Sequence, residues 1–82
     1  MQVGALIKVR DSEQCICFIH INKRRNVTVA ISITNGDVLS GFLVLKNPLC
    51  DSNGILIGND EQYFAKSIDC AFEKSAEWLN DD

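Results

Sequence analysis

One β-hairpin constrains the fold of this 82-residue chain more than any other segment does. Apolar residues alternate with small or polar ones from Val27 to Ile33, which is the period of a strand with one buried face. Asn35-Gly36 follows directly and is typical of a two-residue type I′ turn. A second apolar run then returns from Val38 to Leu45. The sequence therefore predicts two antiparallel strands joined by a tight turn.

A turn at Asn35-Gly36 also predicts the register of the hairpin. The expected pairs are Ile33 with Val38, Ile31 with Ser40 and Val29 with Phe42. Gly41 then lies opposite Ala30, where a strand bends easily. The face expected to contribute to the core consists of Val27, Val29, Ile31, Ile33, Val38, Phe42 and Val44.

The second face of the return strand is apolar as well, because it contains Leu39, Leu43 and Leu45. A strand that is apolar on both faces must be covered on both faces. The cover is either a helix of the same chain or another subunit. These three leucines are therefore the candidate partner or oligomer interface.

The rest of the chain predicts further strands and one helix. The expected strands are 3–9, 14–21, 55–57 and 63–65, with polar loops at 22–26 and 46–54. A helix over 12–22 is the alternative to the second strand. Ser67 is typical of an N-cap, and Ile68, Ala71, Phe72, Ser75, Ala76 and Leu79 then recur at helical spacing.

These elements predict a single small domain over 1–82. It is mainly β (α+β), with a β-rich part over 3–66 and a C-terminal amphipathic helix over about 67–80. The strands would form a bent antiparallel sheet or a partly open SH3-like barrel, and the helix would pack on it through Trp78 and Leu79.

Composition narrows the function classes. The net charge of −3 disfavours a duplex-DNA binder, which usually has a clear cationic excess. No apolar run approaches the roughly 18 residues that a membrane span needs, and the N-terminal residues do not resemble a signal peptide. We therefore expect a cytoplasmic protein without membrane contact, in which all four cysteines are reduced.

Residues suited to catalysis or metal binding are sparse. His20 is the only histidine, and on a strand it would project from the face opposite Cys15 and Cys17, so the three cannot share a metal ion. Cys50 has no cationic neighbour that would activate its thiol. We predict no metal, no cofactor and no enzymatic activity, with a thiol-dependent enzyme centred on Cys50 or His20 as a remote alternative.

The only dense basic patch is Lys23, Arg24 and Arg25. Such a patch suits contacts with phosphates or with an acidic partner, and it equally suits a solvated loop. Asn47 and Asp51, in the loop after the hairpin, are the other candidate nucleic-acid contacts.

The hairpin resembles the first motif of the Sm-like proteins, a family of small RNA-binding barrels that includes the bacterial Hfq type. The residues that match in order are Val29, Ile31, Ile33, Asn35, Gly36, Gly41 and Leu43. This resemblance implies an Sm-like barrel, ring assembly and RNA binding through the loop from Asn47 to Asp51. The chain departs from the family's second motif, where Lys66-Ser67 replaces an Arg/Lys-Gly pair, and its helix follows the barrel rather than preceding it.

Residues 29–72 are also similar to the small bacterial inhibitors of the Rho terminator, which share that barrel. The matching positions are Ile33, Gly36, Ile55, Ile57 and Ile68. Taken together, the sequence favours a non-enzymatic binding or regulatory module that contacts protein and self-associates. The alternative is an Sm-like RNA-binding protein.

Overall fold

The computed structural model describes residues 6–9 and 12–80, and in this part of the chain one helix lies against a curled antiparallel sheet. The elements are β1 (Leu6–Val9), β2 (Ser12–Ile21), β3 (Val27–Asn35), β4 (Val38–Lys46), β5 (Leu49–Cys50), β6 (Leu56–Gly58), β7 (Glu61–Ala65) and α1 (Ile68–Leu79). The sheet order is β1-β2-β3-β4-β7, and β5 and β6 form a separate ribbon. The predicted fold class, a bent antiparallel sheet with a C-terminal helix, is confirmed.

Most element boundaries agree with the sequence. Residues 12–21 form strand β2, so the alternative of a helix over 12–22 is wrong, and the expected residues 3–5 of the first strand lie outside the described part of the chain. The strand predicted over 55–57 is β6, and the one predicted over 63–65 begins two residues earlier as β7. Strand β5 is an addition, because the sequence predicts a loop over 46–54.

The predicted register of the central hairpin is wrong. Asn35 pairs with Val38, so the two turn residues are Gly36 and Asp37, and only Gly36 has a positive φ, of 65°. This is not the type I′ turn that the sequence predicts, because type I′ requires positive φ at both turn residues. Ser40 is then an extra residue in β4 between the pairs formed by its two neighbours.

This bulge determines which side chains share a face. Moving the turn by one residue does not change which side chains of β3 and β4 share a face. One extra residue in β4 does change it: from Gly41 onward, each side chain of β4 lies on the face opposite to the one predicted. The observed pairs are Ile33 with Gly41, Ile31 with Leu43 and Val29 with Leu45. Phe42 and Val44 therefore lie on the face opposite to the one predicted, and Gly41 lies opposite Ile33 rather than Ala30.

A second bulge at Cys17 has the same effect in β2. Ile16 pairs with Ile31 and Phe18 pairs with Ala30, which leaves Cys17 without a pairing residue in β3. Ile16 therefore packs with the residues on one side of the sheet, whereas Cys17 packs beside Phe18 on the other side. Cys17 therefore lies on the same face as His20, so the prediction that these two project from opposite faces is wrong.

The sheet is buried on both faces, so the domain has two apolar clusters. The cluster under the helix contains Phe18, Ala30, Val44, Ala65, Ala71 and Trp78. The cluster on the other face contains Ile7, Ile16, Val29, Ile31 and Leu45, with Leu43, Cys50 and Leu56 packed against it. The β5–β6 ribbon contributes to this second cover, and it meets β1 where the backbone N–H of Lys8 donates to the carbonyl of Gly54 at 2.8 Å.

Helix α1 is positioned by a cap, a tryptophan and one buried polar contact. The Ser67 hydroxyl accepts the N–H of Cys70 at 3.2 Å, as predicted for an N-cap. Trp78 is buried as expected, but Phe72 and Ala76 are exposed, so the buried stripe is centred on Ala71, Ser75 and Trp78 instead.

The buried polar contact joins the Thr28 hydroxyl of β3 to the Ser75 hydroxyl at 2.8 Å. Both residues are fully buried, and each hydroxyl has the other as its side-chain hydrogen-bond partner. This hydrogen bond therefore fixes the position of the helix along the sheet.

A side chain at Gly41 is expected to destabilise the domain. A Cβ there would lie 2.6 Å from the carbonyl oxygen of Ala65 and would collide with the ring of Phe64. Because backbone must shift, Gly41→Ala should cost about 1–3 kcal/mol of unfolding free energy, measured by urea denaturation. Gly58→Ala is the matched control, since nothing lies within 4 Å of its Cβ. Equal stability of the two variants would contradict this account.

The contact between Thr28 and Ser75 predicts strong coupling in a double-mutant cycle. Thr28→Val and Ser75→Ala each leave one buried hydroxyl unsatisfied, which should cost about 1–3 kcal/mol. The double variant removes both hydroxyls and should be clearly more stable than the sum of the single losses indicates. Thr34→Val, at an exposed position of β3, serves as the control. Strictly additive losses in thermal and chemical unfolding would exclude the coupling.

Candidate functional site

Strand β7 is an open edge of the sheet. It pairs with β4 on one side, from Lys46–Glu61 to Phe42–Ala65, and within the described residues no strand pairs with it on the other side. Four of its five residues are exposed. An unpaired edge presents N–H and C=O groups that a further strand can bind.

Two large aromatic side chains project from this edge. Tyr63 pairs with Val44 and is 42% exposed, and the Nζ of Lys74 lies 4.5 Å from the centre of its ring. Phe64 is 47% exposed and pairs with Leu43, and its ring lies against Gly41. Because neighbouring residues of a strand point to opposite faces, the edge offers one aromatic ring on each side of the sheet.

The tip of the central hairpin adds a second exposed apolar group. Val38 is 68% exposed and Leu39 is 53% exposed, although both belong to β4. Their partners Asn35 and Thr34 are exposed too, so the tip extends beyond the region that the helix and the ribbon cover.

The three leucines predicted as an interface have different environments. Leu39 is at the exposed hairpin tip, whereas Leu43 is half-buried and Leu45 is fully buried. The bulge at Ser40 places Leu39 on the opposite face of β4 from Leu43 and Leu45, so the prediction that the three share one face is wrong. The face that contains Leu43 and Leu45 is covered mainly by β1, β2 and the β5–β6 ribbon of the same chain. Of the three, Leu39 has most of its surface available to a partner.

The basic residues Lys23, Arg24 and Arg25 lie in the exposed loop between β2 and β3, as predicted. Asn22 shapes this loop: its Oδ1 accepts the N–H groups of Arg24 and Asn26, and its Nδ2 donates to the carbonyl of Leu79 at 3.0 Å. The loop is thereby tied to the C-terminal end of the helix.

Asn47 lies beside this loop, but its side chain makes structural contacts. Its Oδ1 accepts the N–H of Val27 at 2.8 Å, and its Nδ2 donates to Asn26 Oδ1 and to Asp60 Oδ2. Both amide protons are therefore engaged, and one acceptor position is left. Asn47 has a φ of 50°, a left-handed conformation that asparagine tolerates.

Asp51 likewise builds a turn. Its Oδ1 accepts the N–H groups of Asn53 and Ile55, at 2.8 and 3.0 Å, in the connection between β5 and β6. The structure thus brings Asn47 next to the basic loop, and it uses the side chains of both Asn47 and Asp51 to hold backbone.

His20 takes part in an aromatic stack. Its ring centre lies 4.9 Å from that of Phe18 and 5.7 Å from that of Phe72, and these two phenylalanines stack at 4.4 Å. The contact joins β2 to the helix. Within residues 6–9 and 12–80, no three His, Cys, Asp or Glu side chains are grouped so that they could hold a metal ion.

Cys50 is a half-buried free thiol in β5. Burial raises the pKa of its thiol above the ordinary value, and the negative charge of Asp51 raises it further. Both effects disfavour the thiolate, which is the nucleophilic form. The environment of Cys50 therefore opposes the reactivity that a thiol enzyme requires.

The sequence did not indicate the edge as a site. It predicts a strand at 63–65, but the position of that strand in the sheet depends on contacts with β4, which are distant in the chain.

The described part of the chain forms a small half-barrel in which β7 pairs with a described strand on one side alone. Comparison with family models, with curated proteins and with solved structures gives no match in any of the three. Across the described ranges, no pocket opens and no helix has the length and hydropathy of a membrane span.

The pKa of Cys50 predicts slow alkylation that accelerates at high pH. Because its folded pKa is raised, the midpoint of the iodoacetamide rate between about pH 7 and 10 should lie higher in the folded protein than in urea, as followed by mass spectrometry. Asp51→Asn keeps the turn acceptor and removes the charge, so it should lower the folded midpoint without abolishing the shift due to burial. A folded midpoint at or below the unfolded one would contradict this assignment.

Proposed function

We propose that this chain is a non-enzymatic binding module that contacts another polypeptide through the open edge of β7. The observation that carries this proposal is an edge strand that β4 alone pairs with among residues 6–9 and 12–80, and that has two half-exposed aromatic side chains, Tyr63 and Phe64. We define the edge surface as residues 60–66, which include Tyr63 and Phe64.

Strand addition explains why this surface suits a polypeptide. An added strand gains backbone hydrogen bonds along the edge, while its side chains contact the rings on either face. Tyrosine and phenylalanine contribute large apolar areas with few rotatable bonds, so a partner orders them at low entropic cost. The edge surface therefore combines a directional backbone template with apolar anchors.

The hairpin tip supports the same proposal. Val38 and Leu39 expose apolar surface on β4, the strand that pairs with β7. A partner that extends past the end of β7 would reach this tip by following β4. Leu39 is therefore kept in the proposed contact surface.

We place this activity in the cytoplasm. The four cysteines Cys15, Cys17, Cys50 and Cys70 are all free thiols, which suits a reducing compartment. The RNA-binding alternative depends on Lys23, Arg24 and Arg25, and no observation favours it over contact with protein. RNA binding would also require contacts from the side chains of Asn47 and Asp51, and the Oδ1 atoms of both already accept hydrogen bonds from backbone N–H groups of this chain.

Site-specific photocrosslinking tests the proposed surface. A benzophenone side chain introduced at Tyr63 should give discrete protein adducts in cells that express the chain naturally, because the residue lies at the edge that binds a strand. The same group at Lys23, an exposed loop position, should not. The mass of each adduct then shows whether the partner is another copy of this 9.1 kDa chain or a different protein.

Two results would count against this function. Adducts from position 23 with none from position 63 would move the contact to the basic loop. Adducts that consist of RNA would support the alternative class.

A further inference from the structure

We propose that the strand bound at the edge of β7 is β7 of a second copy, paired antiparallel about a two-fold axis through Tyr63. This inference rests on the proposed function and identifies the partner of the same surface. The joined sheets would form one continuous ten-stranded sheet, because each copy contributes five strands.

Backbone geometry limits how two copies of β7 can pair. In an antiparallel ladder, alternate residues direct their N–H and C=O groups to one side of the strand, and the intervening residues direct theirs to the other. Since β4 occupies one side of β7, only every second residue presents these groups at the open edge. Two identical strands therefore match only when the two-fold axis passes through a residue, not between two residues.

The axis through Tyr63 gives the longest pairing. Tyr63 is the central residue of Glu61–Ala65, so all five residues of β7 pair with their counterparts in the second copy. Tyr63 then lies opposite Tyr63, and Gln62 lies opposite Phe64. A cross-strand aromatic pair such as Tyr63 with Tyr63 stabilises an antiparallel sheet.

The charges at the two ends of the edge surface favour the same axis. Asp60 precedes β7 and Lys66 follows it, so the register centred on Tyr63 places Asp60 of each copy opposite Lys66 of the other. Moving the axis to Gln62 places Lys66 opposite Gly58, and moving it to Phe64 places Lys66 opposite Gln62. Only the axis through Tyr63 forms both opposite-charge pairs.

Both charged groups are accessible for these pairs. Asp60 and Lys66 are exposed. Asn47 donates to Asp60 Oδ2 at 2.7 Å, which orients the carboxylate and leaves Oδ1 open. Lys66 forms no ion pair with any described residue of its own chain. Two-fold pairing would cover the β7 edge of both copies at once, so no β7 edge would remain for a third copy.

Charge reversal tests this register. Sedimentation velocity over about 1 to 500 µM protein should show wild-type monomer converting to dimer as concentration rises. Asp60→Lys makes both cross-strand pairs repulsive, and so does Lys66→Glu. Each single variant should therefore weaken the dimer on the order of tenfold, less so at high salt. An equimolar mixture of the two variants should recover wild-type affinity as a heterodimer, since each substituted side chain then meets an opposite charge.

The controls separate the register from folding. Asp60→Asn keeps an acceptor for Asn47 and should weaken the dimer less than Asp60→Lys does. Recovery in the mixture requires both single variants to be folded, so the mixture itself controls for misfolding. A dimer affinity that neither charge reversal changes would overturn the register. So would a mixture of the two variants that does not recover wild-type affinity. A wild-type chain that stays monomeric throughout would overturn self-association. Adducts at Tyr63 with a different protein would then still support the proposed function.

Discussion

The central hairpin β3–β4 is buried on both of its faces, and the rest of the domain depends on covering it. Val29, Ile31 and Leu45 are at most 3% exposed on one face, and Ala30 and Val44 are fully buried on the other. A chain of this length buries only a modest share of its surface, so both covers have to come from nearby segments. The helix covers one face through Ala71 and Ser75, whose small side chains allow close approach, and through Trp78. Strands β1 and β2 and the β5–β6 ribbon cover the other.

Two bulges decide which side chains meet these covers. Without the extra residues at Cys17 and Ser40, every second side chain of β2 and of β4 would lie on the same face along the whole strand. After each bulge, the side chains that would lie on one face of the sheet lie on the other. A bulge also increases the local twist of its strand, which suits a sheet that curls into half of a barrel. Gly41 lies just after one of them, where Phe64 packs against a backbone without a side chain. The bulge at Ser40 and the neighbouring Gly41 thus together influence the twist of β4, the face on which its side chains lie and the position of the Phe64 ring.

Elements with a local signal can be predicted from the sequence. The helix was predictable from its Ser67 cap and its 3.6-residue period, and the strands from alternation and turn residues. Features that depend on distant contacts cannot be predicted in this way. A bulge leaves no clear mark in composition, so the faces of Phe42 and Val44 were assigned wrongly. The cover of Leu43 and Leu45 comes partly from β1 and β6, which are far apart in the chain and meet beside the bridge between Lys8 and Ile55. The open edge was missed for the same reason, because strand order is a tertiary property.

The remaining exposed edge has features that restrict what can pair with it. Natural sheets guard their edges with short strands and charged residues, since a long apolar edge accepts almost any strand. β7 is only five residues long and lies between Asp60 and Lys66, so an incoming antiparallel strand meets a negative charge at one end and a positive charge at the other. An incoming strand with the opposite order of charges gains the same backbone hydrogen bonds, but it places like charges beside Asp60 and Lys66. The backbone supplies attraction, and the flanking charges supply selectivity. A strand with the same order of charges is complementary when it is antiparallel, and β7 itself is such a strand.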